Sequence, residues 1–328
     1  MARSGRDDGW GCNHVLLALF LSLLAILLLP DPALAWGPAT HVYLGQGVLE
    51  SLHLLPQAVR AVLMAHPHDF LYGSMAADIS LAKKYVPEGR HCHHWHIGEE
   101  IYHSADTERL RAVSLGYLAH LAGDTIAHNF FVPRQLLLTS SSKALGHSYW
   151  EHRMDYQLGD AYMRLARRIV MEHDHSAADA LFDRVLSATL FSFHTNRRIF
   201  RGMIRFQDND RWQSIFSTVL QNSRWTLTSE EIDGYVVRAF DYIIDYLNRR
   251  GDAIAASLDP IGDANLALSK KIRKMALRDG PTEDLSTLMA MADDFFPLPQ
   301  VPFGHWLGSG APLRPATEVQ TAGDGVGV

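Results

Sequence analysis

The 328-residue sequence predicts an all-α fold, a single large helical domain followed by an irregular C-terminal tail. Three observations carry that prediction. Apolar residues recur at helical spacing along most of the chain. No run of alternating β-branched residues suggests a sheet, and no internal repeat is visible. From Phe296 onward Pro and Gly dominate, as expected of a segment without regular structure. Composition excludes other classes. With 47% hydrophobic residues the chain is neither collagen-like nor disordered, and two cysteines cannot form a disulfide scaffold. A net charge of -6 argues against nucleic-acid binding by bulk charge.

The N-terminus reads as an address. Val15 to Leu29 is an unbroken apolar run apart from one serine, preceded by Arg3 and Arg6 and followed by Ala33-Leu34-Ala35. A basic start, a short apolar stretch and a small-x-small site describe a secretory signal. Residues 1–35 are therefore expected to be removed, sending the protein outside the cell or to the periplasm with Trp36 as its first residue. Uncleaved, the run would anchor the chain to a membrane, although it is short for a spanning helix. The mature chain would keep only Cys92, so no intrachain disulfide would brace it.

The helical domain is expected over residues 36–295 and the tail over 296–328. Leu44, Val48, Leu52 and Leu55 share one face of a first helix. Thr107-Glu108-Arg109 opens a long segment that Pro133 should stop near Val132. Further helices are expected from Tyr149 to Met171, from a capping box at Ser176–Asp179 to about Phe193, and from Ser229-Glu230-Glu231 to Arg249-Arg250-Gly251. Shorter ones fit Asn265–Leu277 and Thr282–Asp293.

Histidine marks the chemistry. Seventeen follow Ala35, and 13 of these lie between His41 and His152. Between Ala112 and Val132 the one residue with a full charge is Asp124, so this helix should be buried on every side. It nevertheless carries His120, Asp124 and His128 on one face, at i, i+4 and i+8. A lone buried carboxylate costs several kcal/mol unless paired or metal-bound. A His–Asp hydrogen-bond network is the plainer account, but metal ligation uses all three residues at once. His147 and Glu151 repeat the i, i+4 spacing at an expected helix start. The run His91-Cys92-His93-His94-Trp95-His96 can supply one or two ligands, with Cys92 the lesser candidate. Two weaker pieces are Trp36 with His41, and Gly73–Ala77 ending in Asp78. His66, His68, Asp69 and His103 carry no specific role.

In order, these pieces resemble the bacterial zinc-dependent phospholipase C family at Trp36, His41, Asp78, His93, His120, Asp124, His128, His147 and Glu151. The resemblance implies a cleft for two to three zinc ions in the N-terminal half. Asp78, His93, His120 and Asp124 would hold one ion, and His128, His147 and Glu151 a second. The α-amino group and carbonyl of Trp36, with His41 and Asp124, would hold a third. Asp78, Asp124 and Glu151 are the implied catalytic carboxylates. The implied activity is cleavage of a phospholipid by metal-bound hydroxide to diacylglycerol and a phosphorylated head group. The implied partners are a phospholipid or other phosphodiester and a peripherally contacted membrane, with no nucleic acid.

The chain departs from the family pattern in a short Asp124-to-His128 spacing, which leaves both on one helix, and in Ala77 where Pro is commoner. A single-strand-specific zinc nuclease is the nearest rival, disfavoured because its last ligand pair is His-x3-Asp. A non-catalytic exported zinc-binding protein is the third reading.

Overall fold

The apolar helix around Gly116 becomes the axis of the fold. The computed structural model describes residues 36–139, 143–278, 285–300 and 304–305. The apolar run, the expected cleavage site, residues 140–142, residues 279–284 with the expected helix start at Thr282, residues 301–303 and residues 306–328 lie outside the described residues. Every regular element among those described is helical. In chain order these are α1 (Pro38–Glu50), α2 (Gln57–Ala65), α3 (Pro67–Ala76), α4 (Trp95–His103), α5 (Glu108–Ile126), α6 (Val132–Thr139), α7 (Lys143–Leu158), α8 (Asp160–Glu172), α9 (Ser176–Val185), α10 (Phe193–Gln207), α11 (Asp210–Gln221), α12 (Ser229–Arg249), α13 (Asp263–Arg278) and α14 (Leu285–Phe295).

Helix α5 packs against α3, α4 and α12, and all its residues from Ala112 to Ile126 are buried. Its start is where the sequence places it: Thr107 caps the helix, its hydroxyl accepting from the Leu110 amide. The approach of α3 is unusually close. A Cβ on Gly116 would lie 2.1 Å from the Phe70 carbonyl oxygen, and one on Gly73 would lie 2.0 Å from that of Val113. Only paired glycines let the two backbones come this near, and the approach sets the end of α3, with Ser74 and Asp78, beside the polar face of α5.

Several expected boundaries differ. The first helix ends at Glu50, and Leu52 belongs to a separate 3-10 turn, Leu52–Leu54. Pro133 does not stop the long segment. A π-helical turn, Ala127–Phe131, follows α5, and α6 runs straight on through Pro133. The Val132 amide reaches back to the Ala127 carbonyl, and the Asn129 carbonyl, which Pro133 cannot serve, accepts from the Asn265 side chain at 3.3 Å. The stretch from Tyr149 to Met171 divides into α7 and α8 at Gly159, whose φ of 95° ends α7. The Ser176–Asp179 capping box does not form. Asp179 instead accepts from the Tyr72 hydroxyl at 2.6 Å and pairs with Arg197, and α9 ends at Val185. A capping box forms instead at the start of α12, between Thr228 and Glu231.

A second, smaller apolar cluster joins α6, α13 and α14 through Leu137, Ile272, Leu288 and Phe296. Beyond Phe296, the Pro299 carbonyl accepts from Arg238 and the His305 amide donates to Asp241.

Candidate metal centre

Trp36, His41, Asp78, His93, His120, Asp124, His128, His147 and Glu151 come from five regions of sequence, and all nine are buried. A continuous series of imidazoles connects them. His41 stacks on His120 at 3.8 Å between centroids, His120 meets His93 at 5.0 Å, His93 meets His128 at 6.4 Å, and His128 meets His147 at 5.2 Å.

The tightest part is a triangle. His93 Nε2 lies 3.1 Å from His120 Nε2 and 3.2 Å from Asp124 Oδ2, and the third edge, His120 Nε2 to Asp124 Oδ2, is 3.0 Å. Ligands about 2.0–2.2 Å from a tetrahedral zinc lie roughly 3.4 Å apart, so the triangle is slightly tighter than one face of such a site. Asp78 Oδ1 is 3.5 Å from His93 Nε2, and His41 Nε2 is 3.4 Å from Asp124 Oδ1. Asp124 thus offers one oxygen to each side. At the other end His147 Nε2 lies 2.9 Å from Glu151 Oε1.

Whether these residues suit a metal can be judged from their hydrogen bonding. His41 Nε2, both Asp124 oxygens, His128 Nε2 and both Glu151 oxygens are buried yet complete no hydrogen bond. Buried polar atoms rarely stay so. Orphaned nitrogens and oxygens gathered in one place are a donor set suited to a cation. The imidazoles are also oriented for ligation. His120 Nδ1 is 2.9 Å from the Ser74 carbonyl and His128 Nδ1 is 2.5 Å from that of Pro260, which leaves each Nε2 facing the site as a lone-pair donor. The second contact depends on Gly262, whose φ of 65° and lack of a Cβ bring the loop against His128; a Cβ there would sit 2.4 Å from the His128 carbonyl oxygen. The residues fit zinc.

Charge follows the same plan. Burial would raise the Asp124 carboxyl, but His120 and His41 outweigh it and hold it well below the usual carboxylate range. Glu151 is pushed well above its ordinary value by burial and by the fields of Asp78 and Asp124, which outweigh the opposing field of Lys83.

Trp36 donates its indole N–H to the Gly123 carbonyl at 3.1 Å and stacks on Phe131, so it sits against the helix carrying Asp124. The His91–His96 run divides sharply: His93 is fully buried in the site, His91 and His94 are partly exposed and His96 is exposed. Cys92 lies behind His93, with Sγ 3.3 Å from its Nδ1. His128 does not lie on one continuous α-helix with His120 and Asp124, because it falls in the π turn. His68 stacks on His173 and Asp69 pairs with Arg109, both outside the site.

Two residues escape sequence reading. Asp155 accepts from the Ala39 amide at 3.1 Å, the Thr40 amide at 2.9 Å and the Thr40 hydroxyl at 2.6 Å, fixing the start of α1 and so His41. Its signal was present, since Asp155 extends the His147–Glu151 row by four residues. Lys83 is the other. Its side chain is buried, with Nζ 2.9 Å from Asp78 Oδ1 and 3.4 Å from His93 Nδ1. Burial alone would lower the Lys83 ammonium, but Asp78 holds it above its ordinary value. Nothing in Leu81-Ala82-Lys83-Lys84 marks it, because a lysine pair reads as solvated surface.

A family model described as zinc dependent phospholipase C matches residues 40–196. No curated protein and no solved structure matches the chain.

Proposed function

Since residues 40–196 are those of a zinc-dependent phospholipase C family, we propose that this chain hydrolyses a phosphodiester, with a phospholipid as substrate and diacylglycerol and a phosphorylated head group as products. The observation that supports the reading is the set of buried, orphaned donors from His41, Asp124, His128 and Glu151 facing one site. His93, His120 and Asp124 would hold one zinc ion, with Asp78 beside them as the fourth donor in reach, and His128, His147 and Glu151 another. A third would take His41, Asp124 and the Trp36 backbone. Zinc bound there supplies positive charge for phosphoryl oxygens and acidifies water near neutral pH. The chain's own part is preparation. The Ser74 and Pro260 carbonyls set the imidazole tautomers, Asp155 holds the start of α1, and the packing around α5 keeps bulk water from the polar face.

Export belongs to the same reading: an α-amino group exists at Trp36 only after cleavage behind Ala35. A basic stripe on α10, with Arg198, Arg201 and Arg205 at helical spacing, would meet anionic headgroups at the membrane. No helix among the described residues is long and apolar enough to cross a membrane.

The test is hydrolysis of phosphatidylcholine in mixed micelles. Release of diacylglycerol, lost on chelation and restored by zinc, supports the proposal. Cleavage of single-stranded DNA instead would make the chain a nuclease. Zinc bound with neither activity would make it a non-catalytic binder.

A further inference from the structure

Lys83 places a fixed cation beside a site built to hold cations. Its aliphatic stem is buried, and Nζ rests 2.9 Å from Asp78 Oδ1 and 3.5 Å from His93 Nε2. That Asp78 oxygen is the one nearest the triangle formed by His93, His120 and Asp124. The backbone is bent to bring it there. Ala82, immediately before, adopts the left-handed conformation with φ 56° and ψ 42°, which costs an L-residue with a Cβ. Held in this way, Lys83 lies where a surface lysine would never be kept without a strong partner.

An ammonium and a dication cannot share one carboxylate oxygen without repelling each other across a few ångströms of low-dielectric interior. We propose that Lys83 competes with zinc for Asp78, so that Asp78 serves as the counter-ion of the ammonium and the ion at His93, His120 and Asp124 is held by three protein ligands and is the exchangeable one of the cluster. This inference rests on the zinc-binding reading above and adds to it a residue that sets how many ions the cleft retains.

The experiment is zinc per chain by elemental analysis after gel filtration in a weak competing chelator, comparing the whole protein with Lys83→Met, whose side chain fills similar space without charge. Lys83→Met is expected to retain about one more zinc per chain than the wild type. Adding Asp78→Asn to Lys83→Met is expected to reverse the gain, because the gain depends on Asp78 becoming a ligand. Equal or lower retention by Lys83→Met, with a native circular-dichroism spectrum, overturns the inference. So does a gain that survives Asp78→Asn. If Lys83→Met does not fold, Lys83→Gln is read by the same criteria. A wild-type protein that holds no zinc in the absence of chelator overturns the zinc-binding reading itself, a result distinct from either of the others.

Discussion

Helices α5 and α10 both carry ionisable residues at helical spacing, yet they use them in opposite ways. On α5 the polar face points inward: His120 and Asp124 are fully buried, and the Ser74 carbonyl of α3 meets His120 Nδ1 at 2.9 Å. On α10 the apolar face points inward through Phe193, Phe200 and Ile204, Arg197 is half-buried against Asp179, and Arg198, Arg201 and Arg205 form the outer stripe, Arg198 and Arg205 exposed. Burial makes a polar residue costly unless something compensates it, so on α5 each one carries information. Exposure makes charge cheap, so the same residue types on α10 define a surface and little more.

The contrast between the two helices is greatest at Asp124, which faces both His41 and the His93–His120 pair. Asp124→Asn keeps the shape but removes the charge. It should reduce hydrolysis to background and lower zinc content more than substitution of His91, His94 or His96, as measured by turnover and elemental analysis. Equal losses at those three loop histidines would show that burial does not distinguish the ligands.

The legibility of the chain follows the same division. α5 was readable because an apolar stretch with one carboxylate admits few explanations, and Thr107 signals its start. Ser229-Glu230-Glu231 made the start of α12 equally plain. The segment 193–221 escaped as separate helices, since its arginines break no rule of a solvated surface. The π turn was hidden because Pro133 reads as a stop unless one knows that Asn265 serves the Asn129 carbonyl. Lys83 was hidden for the converse reason: its burial comes from the strained turn at Ala82, a tertiary effect without a local sign.

A gentler test reaches the site through its support. Gly262→Ala places a Cβ against the His128 backbone and forces a positive φ on alanine. It should displace the Pro260 carbonyl from His128 and lower activity about 10- to 100-fold, the usual cost of losing a group that orients a ligand. Full activity in this variant would mean that His128 needs no orienting partner. Asp155→Asn turns one of the three N–H and O–H contacts at α1 into a donor–donor clash. A loss of about 1–3 kcal/mol, seen as a drop of several degrees in Tm, is expected. At the smallest end, replacing Arg198, Arg201 and Arg205 together by Gln should change Tm by about a degree or two at most, as exposed substitutions do. The same variant should bind phosphatidylserine vesicles more weakly in co-sedimentation, with the difference vanishing at high salt. A large fall in Tm would mean that α10 uses its arginines as α5 uses its histidines.

In the proposed function the buried polar face of α5 and its neighbours forms a zinc cluster. It is tested most directly by the zinc content of the exported, N-terminally sequenced protein. Two to three zinc ions per chain, with Trp36 as the first residue, is the predicted result. A chain that carries no zinc at neutral pH would contradict it and leave the histidines as a hydrogen-bonded core.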